Sequence, residues 1–313
     1  MQREIKQIAI PLGSAVAARA TIAEARMQLK FCRILVCAVA VLASPAIAAS
    51  PQTQIESQIE RQIERMTWME VRDRLAAGAT TVIIPTGGTE QNGAHMVLGK
   101  HNIIVAETAR RIANELGDAL VAPVLAYVPE GSAEQKTGHM AYAGTISVPD
   151  DVFSAVLEAA ASSFKAHGFK TIVLLGDSGP NQAPQKALAA KLSLAWKDSG
   201  VSVINADNYY AANGGEAYLT GEGETLATMG AHAGIRDTSE LMAIDASGVH
   251  LDGAKPDSDG ASGDPRRASV DRGQKLLALK VAAAVAEIRA ARAASSPDTG
   301  PGLLSKVHHL IFG

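Results

Sequence analysis

Three polar segments hold most of the side chains in this sequence that could do chemistry. Residues 86–102 (TGGTEQNGAHMVLGKHN) place Glu90, His95 and His101 close together. Residues 176–182 (GDSGPNQ) add Asp177, Ser178 and Asn181, and residues 230–240 (GAHAGIRDTSE) add His232 and Asp237. Carboxylates and imidazoles ligate divalent cations and carry protons near neutral pH. Three such segments meeting at one place make a hydrolytic or metal site. Ser178 offers a metal-free route. It follows a strand pattern and precedes a helix pattern, as a nucleophile elbow does, and with His232 and Asp237 it forms a triad in the order Ser, His, Asp. Pro180 departs from the G-x-S-x-G elbow. The GDSGP string also matches a serine-protease signature, but that fold is all-β. A third reading is a pocket that binds a small molecule without turning it over.

These segments must be positioned by regular elements, and the pattern supplies them. Strands are predicted over residues 80–85, 119–127, 170–175 and 201–206 from their β-branched and apolar runs. Helices are predicted over 102–116, 149–166, 182–199 and 270–294, and Thr67 with Glu70 forms a capping box ahead of a helix through Leu75. Alternating strands and helices give an α/β domain with a mainly parallel sheet. In such a sheet, sites collect where strands end and helices begin, which is where two of the three polar segments fall. The segment 252–267, rich in Gly, Asp and Ser, is expected to be a surface loop.

Composition excludes several classes. The 313 residues are 47% hydrophobic, enough for a core, and the net charge of −3 leaves no basic footprint for nucleic acid. The two cysteines, Cys32 and Cys37, rule out a disulfide scaffold and a cysteine-rich zinc module. Both fall in a stretch with the anatomy of a secretory signal peptide: Lys30 and Arg33, an apolar run over 34–43, Pro45, and Ala46 and Ala48 at a cleavage site. The run is too short for a comfortable permanent span. Met27 opens this leader, so residues 1–26 read as translated upstream sequence. The expected organisation is a leader over 1–48, a polar lead-in over 49–66, one catalytic domain over 67–294 and a tail over 295–313. The expected location is periplasmic or secreted.

The order of GGTEQNGAHMVLGKHN, HMAYAGTISVP, GDSGPNQ and GAHAGIRDTSELM resembles the creatininase (creatinine amidohydrolase) family. The resemblance implies a three-layer α/β/α fold, often a hexamer, and metal-dependent hydrolysis of non-peptide C–N bonds in small molecules, with zinc or manganese. Several positions depart from the family pattern. Glu90 is kept, but Asn92 stands at a histidine position, His101 at the metal-bridging aspartate and Ser178 at a metal-binding histidine. His232 is kept, and Asp237 replaces a glutamate. A neutral imidazole cannot bridge two cations as a carboxylate does. The expectation is therefore one Zn or Mn ion on Glu90, His101 and Asp177. His232 and Asp237 are expected in proton transfer, and His95, His139 and Asn181 against substrate.

Overall fold

The computed structural model describes residues 61–295. The expected leader, residues 49–60 of the lead-in and all but the first residue of the tail lie outside them. Four strands, β1 (Thr81–Thr86), β2 (Ala119–Val121), β3 (Thr171–Gly176) and β4 (Ser202–Asn205), form a sheet in the order β2-β1-β3-β4. All neighbours are parallel, with Thr81 level with both Ala119 and Thr171. Every residue of β1 and β3 is buried, as expected for central strands covered on both faces.

Period-two alternation divides the core into two layers. Val82, Ile84, Ile172 and Leu174 pack with Phe153, Leu157, Leu188 and Leu192 on one face. Ile83, Val173 and Leu175 pack with Val105, Ile112, Tyr209 and Val281 on the other. Each fully buried aliphatic side chain contributes about 1.5–3 kcal/mol relative to exposure. The covering helices are α1 (Trp68–Ala76), α2 (Lys100–Leu116), α3 (Asp150–Ala166) and α4 (Gln182–Ala195). They are followed by α5 (Asp207–Tyr210), α6 (Gly215–Gly221), α7 (Leu226–Met229), α8 (Ile235–Ile244) and α9 (Val270–Ser295). Helices α1, α3 and α4 cover the first face, and α2, α5 and α9 cover the second. This is the expected three-layer arrangement. The Thr67–Glu70 capping box is formed at the start of α1.

Three expectations change. The strand predicted over 119–127 stops at Val121, because Pro123 has no N–H to donate. The chain still follows β1, with Leu125 N donating to Pro85 O at 2.9 Å. The polar segment 230–240, for which no helix is predicted, turns helical at Ile235 and buries Thr238, Ser239 and Glu240. Polar residues on that buried face hid the helical period. Finally, part of 252–267 folds back rather than lying on the surface. Ala254, Ala261 and Pro265 are buried, and Ser262 Oγ accepts from Ala231 N and His232 N.

The sheet order creates a crevice. From β1 the chain crosses to β2 through α2 on the second face. From β3 it crosses to β4 through α4 on the first face. The loops leaving β1 and β3 therefore diverge above adjacent strand ends, the topological switch point of an open parallel sheet. Residues 87–99 and Asp177–Ser178 stand there. Helix α9 comes close to α8 because position 273 is glycine; a Cβ there would lie 1.9 Å from Ser239 O. That approach brings Lys280 beneath the crevice.

Candidate metal and hydrolytic site

Glu90, on the loop after β1, is the centre of the site and is only 1% exposed. Lys100 and His101 occupy the first turn of α2, where cations oppose the helix dipole. Carboxylates from three other segments offset this. Lys100 Nζ, fully buried, donates to Asp237 Oδ2 at 3.0 Å and lies 3.7 Å from Glu90 Oε1. His101 is held at both ring nitrogens, with Nδ1 2.7 Å from Asp177 Oδ2 and Nε2 2.8 Å from Glu90 Oε1. Asp177 Oδ1 accepts from Tyr209 Oη at 2.7 Å and from Lys280 Nζ at 2.8 Å. Lys280 also donates to Glu240 Oε2 at 2.7 Å. The result is an alternating row: Asp237, Lys100, Glu90, His101, Asp177, Lys280, Glu240.

The row fixes its own protonation. Burial and the Lys100 charge oppose a charged His101, but its bonds to Asp177 and Glu90 outweigh them and hold its pKa at about 9. Burial would raise Glu90, yet His101 and Lys100 keep it well below the usual carboxylate range. Burial likewise opposes ionised Asp177 and Asp237, and Lys280 and Lys100 respectively overcome it. Glu130 behaves differently. Burial first, then the neighbouring Glu90 carboxylate, push it to about 9, so it keeps its proton at neutral pH. Ser178 Oγ donates to Glu130 Oε1 at 3.0 Å. Gly88 makes room, because a Cβ there would sit 2.5 Å from Glu130 Oε1.

On its other side Glu90 meets two further imidazoles. His139 Nε2 is 3.1 Å from Oε2 and His232 Nδ1 is 3.6 Å from Oε1. Each of the three residues offers a ligand atom, and these atoms lie within 4.8 Å of one another. Burial lowers the pKa of both histidines, so both are neutral at pH 7 and have a lone pair to give. His232 Nε2 donates to Gln91 O at 2.9 Å, which leaves Nδ1 as the lone-pair nitrogen facing Glu90. The turn that aims this ring contains Ala233 at φ +52°, a conformation costing about 1–3 kcal/mol and typical of functional sites. Ala233 N donates to Asp237 Oδ2 at 2.8 Å.

One carboxylate and two neutral imidazoles fit a single Zn or Mn ion. His139 is not fully prepared for one. Gln91 Oε1 accepts from Gly93 N at 2.9 Å, and its Nε2 donates to Gly260 O at 3.2 Å and to His139 Nδ1 at 3.1 Å. The proton of His139 is thereby set on Nε2, facing Glu90. Ligation through Nε2 requires that proton to move to Nδ1 and the Gln91 amide to turn over.

The ligand set expected from sequence is Glu90, His101 and Asp177. The fold brings these three together, but as ion pairs with one another; His101 directs no lone pair outward. His139, expected against substrate, faces Glu90 beside His232. His95 bonds Thr238 Oγ1 at 3.0 Å, is 1% exposed and does not line the cavity. Asn181 ties the β1 end to the β3 end, donating to Gly87 O at 2.8 Å and Thr86 Oγ1 at 3.0 Å. Among the described residues no hydrogen bond joins Ser178 to His232 or His232 to Asp237, so the serine triad is not assembled.

Sequence reasoning missed Lys100, Glu130, Lys280, Glu240 and Gln91. Lys280 had a signal, since it falls on the apolar stripe of α9 with Leu276, Leu277, Val281 and Ala284. Glu130 had none; it is one loop glutamate among many.

A cavity of about 520 Å³ opens over the site, lined by Glu90, His101, His139, Ser178 and His232 among others. Among the described residues no helix is long and apolar enough to cross a membrane.

Comparison with known proteins agrees with this architecture. The sequence model of the family described as "Creatininase: Creatinine amidohydrolase" matches residues 64–288. A creatinine amidohydrolase of Pseudomonas putida is 29% identical over 110 residues, covering 35% of this chain and 42% of the relative. The alignment thus spans less than half of that relative's length. A manganese creatininase structure superposes with a TM-score of 0.61 at 22% identity, covering 74% of this chain and 98% of the other. A Zn-Zn type creatininase mutant gives 0.57 at 23%, covering 73% and 97%. At those identities the structural likeness establishes the fold, and the relatives so matched are manganese and zinc enzymes.

Proposed function

The chain belongs to the creatininase family of metal-dependent hydrolases, and from that premise we propose that it opens a non-peptide C–N bond, an amide or cyclic amide, in a small molecule. Glu90, His139 and His232 would hold a single Zn or Mn ion. The observation that carries this reading is the convergence of three ligand atoms within 4.8 Å at a cavity wall.

When bound there, such an ion would supply Lewis acidity and a water of lowered pKa. The rest falls to the chain's own groups. Glu90 is kept ionised by His101 and Lys100, so no proton competes for its oxygens. The His101 imidazolium lines the cavity and, with Lys100 behind it, offers fixed positive charge to a tetrahedral oxyanion. Ser178 lines the same cavity and bonds Glu130. To act as a general acid, its hydroxyl would turn from Glu130 to the departing nitrogen, give up its proton there and take the Glu130 proton in its place. Asp237 stays ionised and positions Lys100 and the Ala233 turn instead of carrying protons.

The test is turnover of a panel of cyclic amides by chelator-treated protein before and after addition of zinc or manganese. Ring opening that appears only with metal, and is lost in His139→Ala and His232→Ala, supports the reading. Turnover that ignores the chelator sinks it. We also propose export, on the strength of the leader pattern over 27–48, to be checked by cell fractionation. A homo-oligomer, a hexamer by family likeness, is consistent with exposed Trp68 and Met69 and is checked by light scattering.

A further inference from the structure

Arg236 is on the first turn of α8, half-buried, and lines the same cavity. Among the described residues every other arginine except exposed Arg65 has a hydrogen-bond or ion-pair partner; Arg236 has none. Its position has no structural reward. A cation at a helix N-terminus opposes the dipole, and a half-buried guanidinium without an acceptor loses solvation with nothing in return.

The other cations at the cavity are matched. Lys100, His101 and Lys280 are each bonded to carboxylates of Glu90, Asp177, Asp237 or Glu240. Glu216, which is exposed and also lines the cavity, forms no ion pair with Arg236. A second unused donor faces the same space. The Tyr210 hydroxyl has no protein partner among the described residues, and a Cβ on Gly179 would lie 2.9 Å from it. The cavity therefore has Glu90 and its two histidines as one feature and an uncompensated guanidinium with a free phenol as another.

We propose that the substrate is an anion: a small amide or cyclic amide bearing a carboxylate or a similar oxyanion, received by Arg236 with Tyr210 assisting. A planar fork of N–H donors matches such a group bidentately. This rests on the hydrolase reading above for the amide and on Arg236 alone for the anion.

The test uses two rings that differ by one carboxylate, dihydroorotate and dihydrouracil, with binding measured by calorimetry on the metal-loaded and the chelator-treated protein. The expected result is at least about tenfold tighter binding of dihydroorotate, the size of one charged hydrogen bond. Arg236→Met abolishes the preference and leaves dihydrouracil unchanged; Arg236→Lys keeps part of it, and Tyr210→Phe reduces it. The proposal is overturned if the two rings bind alike, failure of both to bind included, or if the preference survives Arg236→Met. A preference that needs Arg236 in the chelated protein stands even if no metal-dependent turnover is found. Metal-dependent turnover of both rings without preference refutes the anion proposal and leaves the hydrolase reading standing.

Discussion

Replacing Lys100 by methionine isolates what the buried ion row contributes. Methionine fills nearly the same volume, so the cavity penalty is small and the lost charge dominates. Lys100 Nζ lies 3.0 Å from Asp237 Oδ2 and 3.7 Å from Glu90 Oε1. At an effective dielectric of about 20 those separations correspond to roughly 5.5 and roughly 4.5 kcal/mol of Coulomb attraction. Desolvating the ammonium cancels much of this. What remains decisive is the partner left behind, because breaking a buried pair costs about 3–5 kcal/mol. Glu90 is 1% exposed and keeps only the His101 imidazolium at 2.8 Å, while the Asp237 side chain keeps 22% exposure and is partly rescued by water. The expected loss is about 3–5 kcal/mol in urea unfolding at pH 7, without a change in m-value. The double variant Lys100→Met/Asp237→Asn removes one stranded charge and should recover at least about 1 kcal/mol, a coupling expected of directly contacting residues. A single variant within about 1 kcal/mol of the parent, or a double variant no better than the single, would refute the idea that Lys100 neutralises these carboxylates.

Three further outcomes follow from the same geometry. His101 titrates at about 9 when folded against 6.5 unfolded, a raised pKa, so its contribution is complete below pH 6.5 and disappears as pH rises to about 9. Thermal unfolding of chelated protein should weaken over that window by up to about 3 kcal/mol, and less so in His101→Gln; a flat profile contradicts the imidazolium. Ser178→Ala should lower kcat by about 100-fold, the size of a proton-transfer contribution, with no covalent acyl intermediate seen by mass spectrometry in the parent. An acyl adduct on Ser178 would restore the nucleophile reading. Gln91→Glu gives His139 Nδ1–H an acceptor, so zinc affinity should rise about tenfold, as such supporting hydrogen bonds typically allow; equal or weaker affinity would show that the Gln91 amide is no obstacle.

Much of the fold was legible because strong periodic signals agreed with tertiary burial. Strands β1 and β3 are β-branched runs buried on both faces, and α3 and α9 begin and end within a residue of their predicted bounds. The misses have local causes. Pro123 cut β2 short, and the buried polar face of α8 disguised a helix as a loop. The site was legible in its loops more than in its wiring. Glu90, His232 and Asp237 stood out by type and by place at strand ends or in a polar segment. The sequence could not say that His101 would be held at both nitrogens by Glu90 and Asp177, because that depends on Lys280, 103 residues from Asp177 along the chain. Nor could it place His139 beside His232, with ring centroids 4.5 Å apart, since the two come from loops that meet only when the 87–99 segment is folded.

The proposed metal sits on Glu90, His139 and His232, and His101 serves as a fixed cation. Zinc titration with elemental analysis of the purified protein tests this assignment directly. One equivalent per chain should bind in the parent and in His101→Gln, and binding should be lost in His139→Ala and in His232→Ala. Loss of zinc in His101→Gln with retention in both alanine variants, or no zinc bound by the parent, would contradict it.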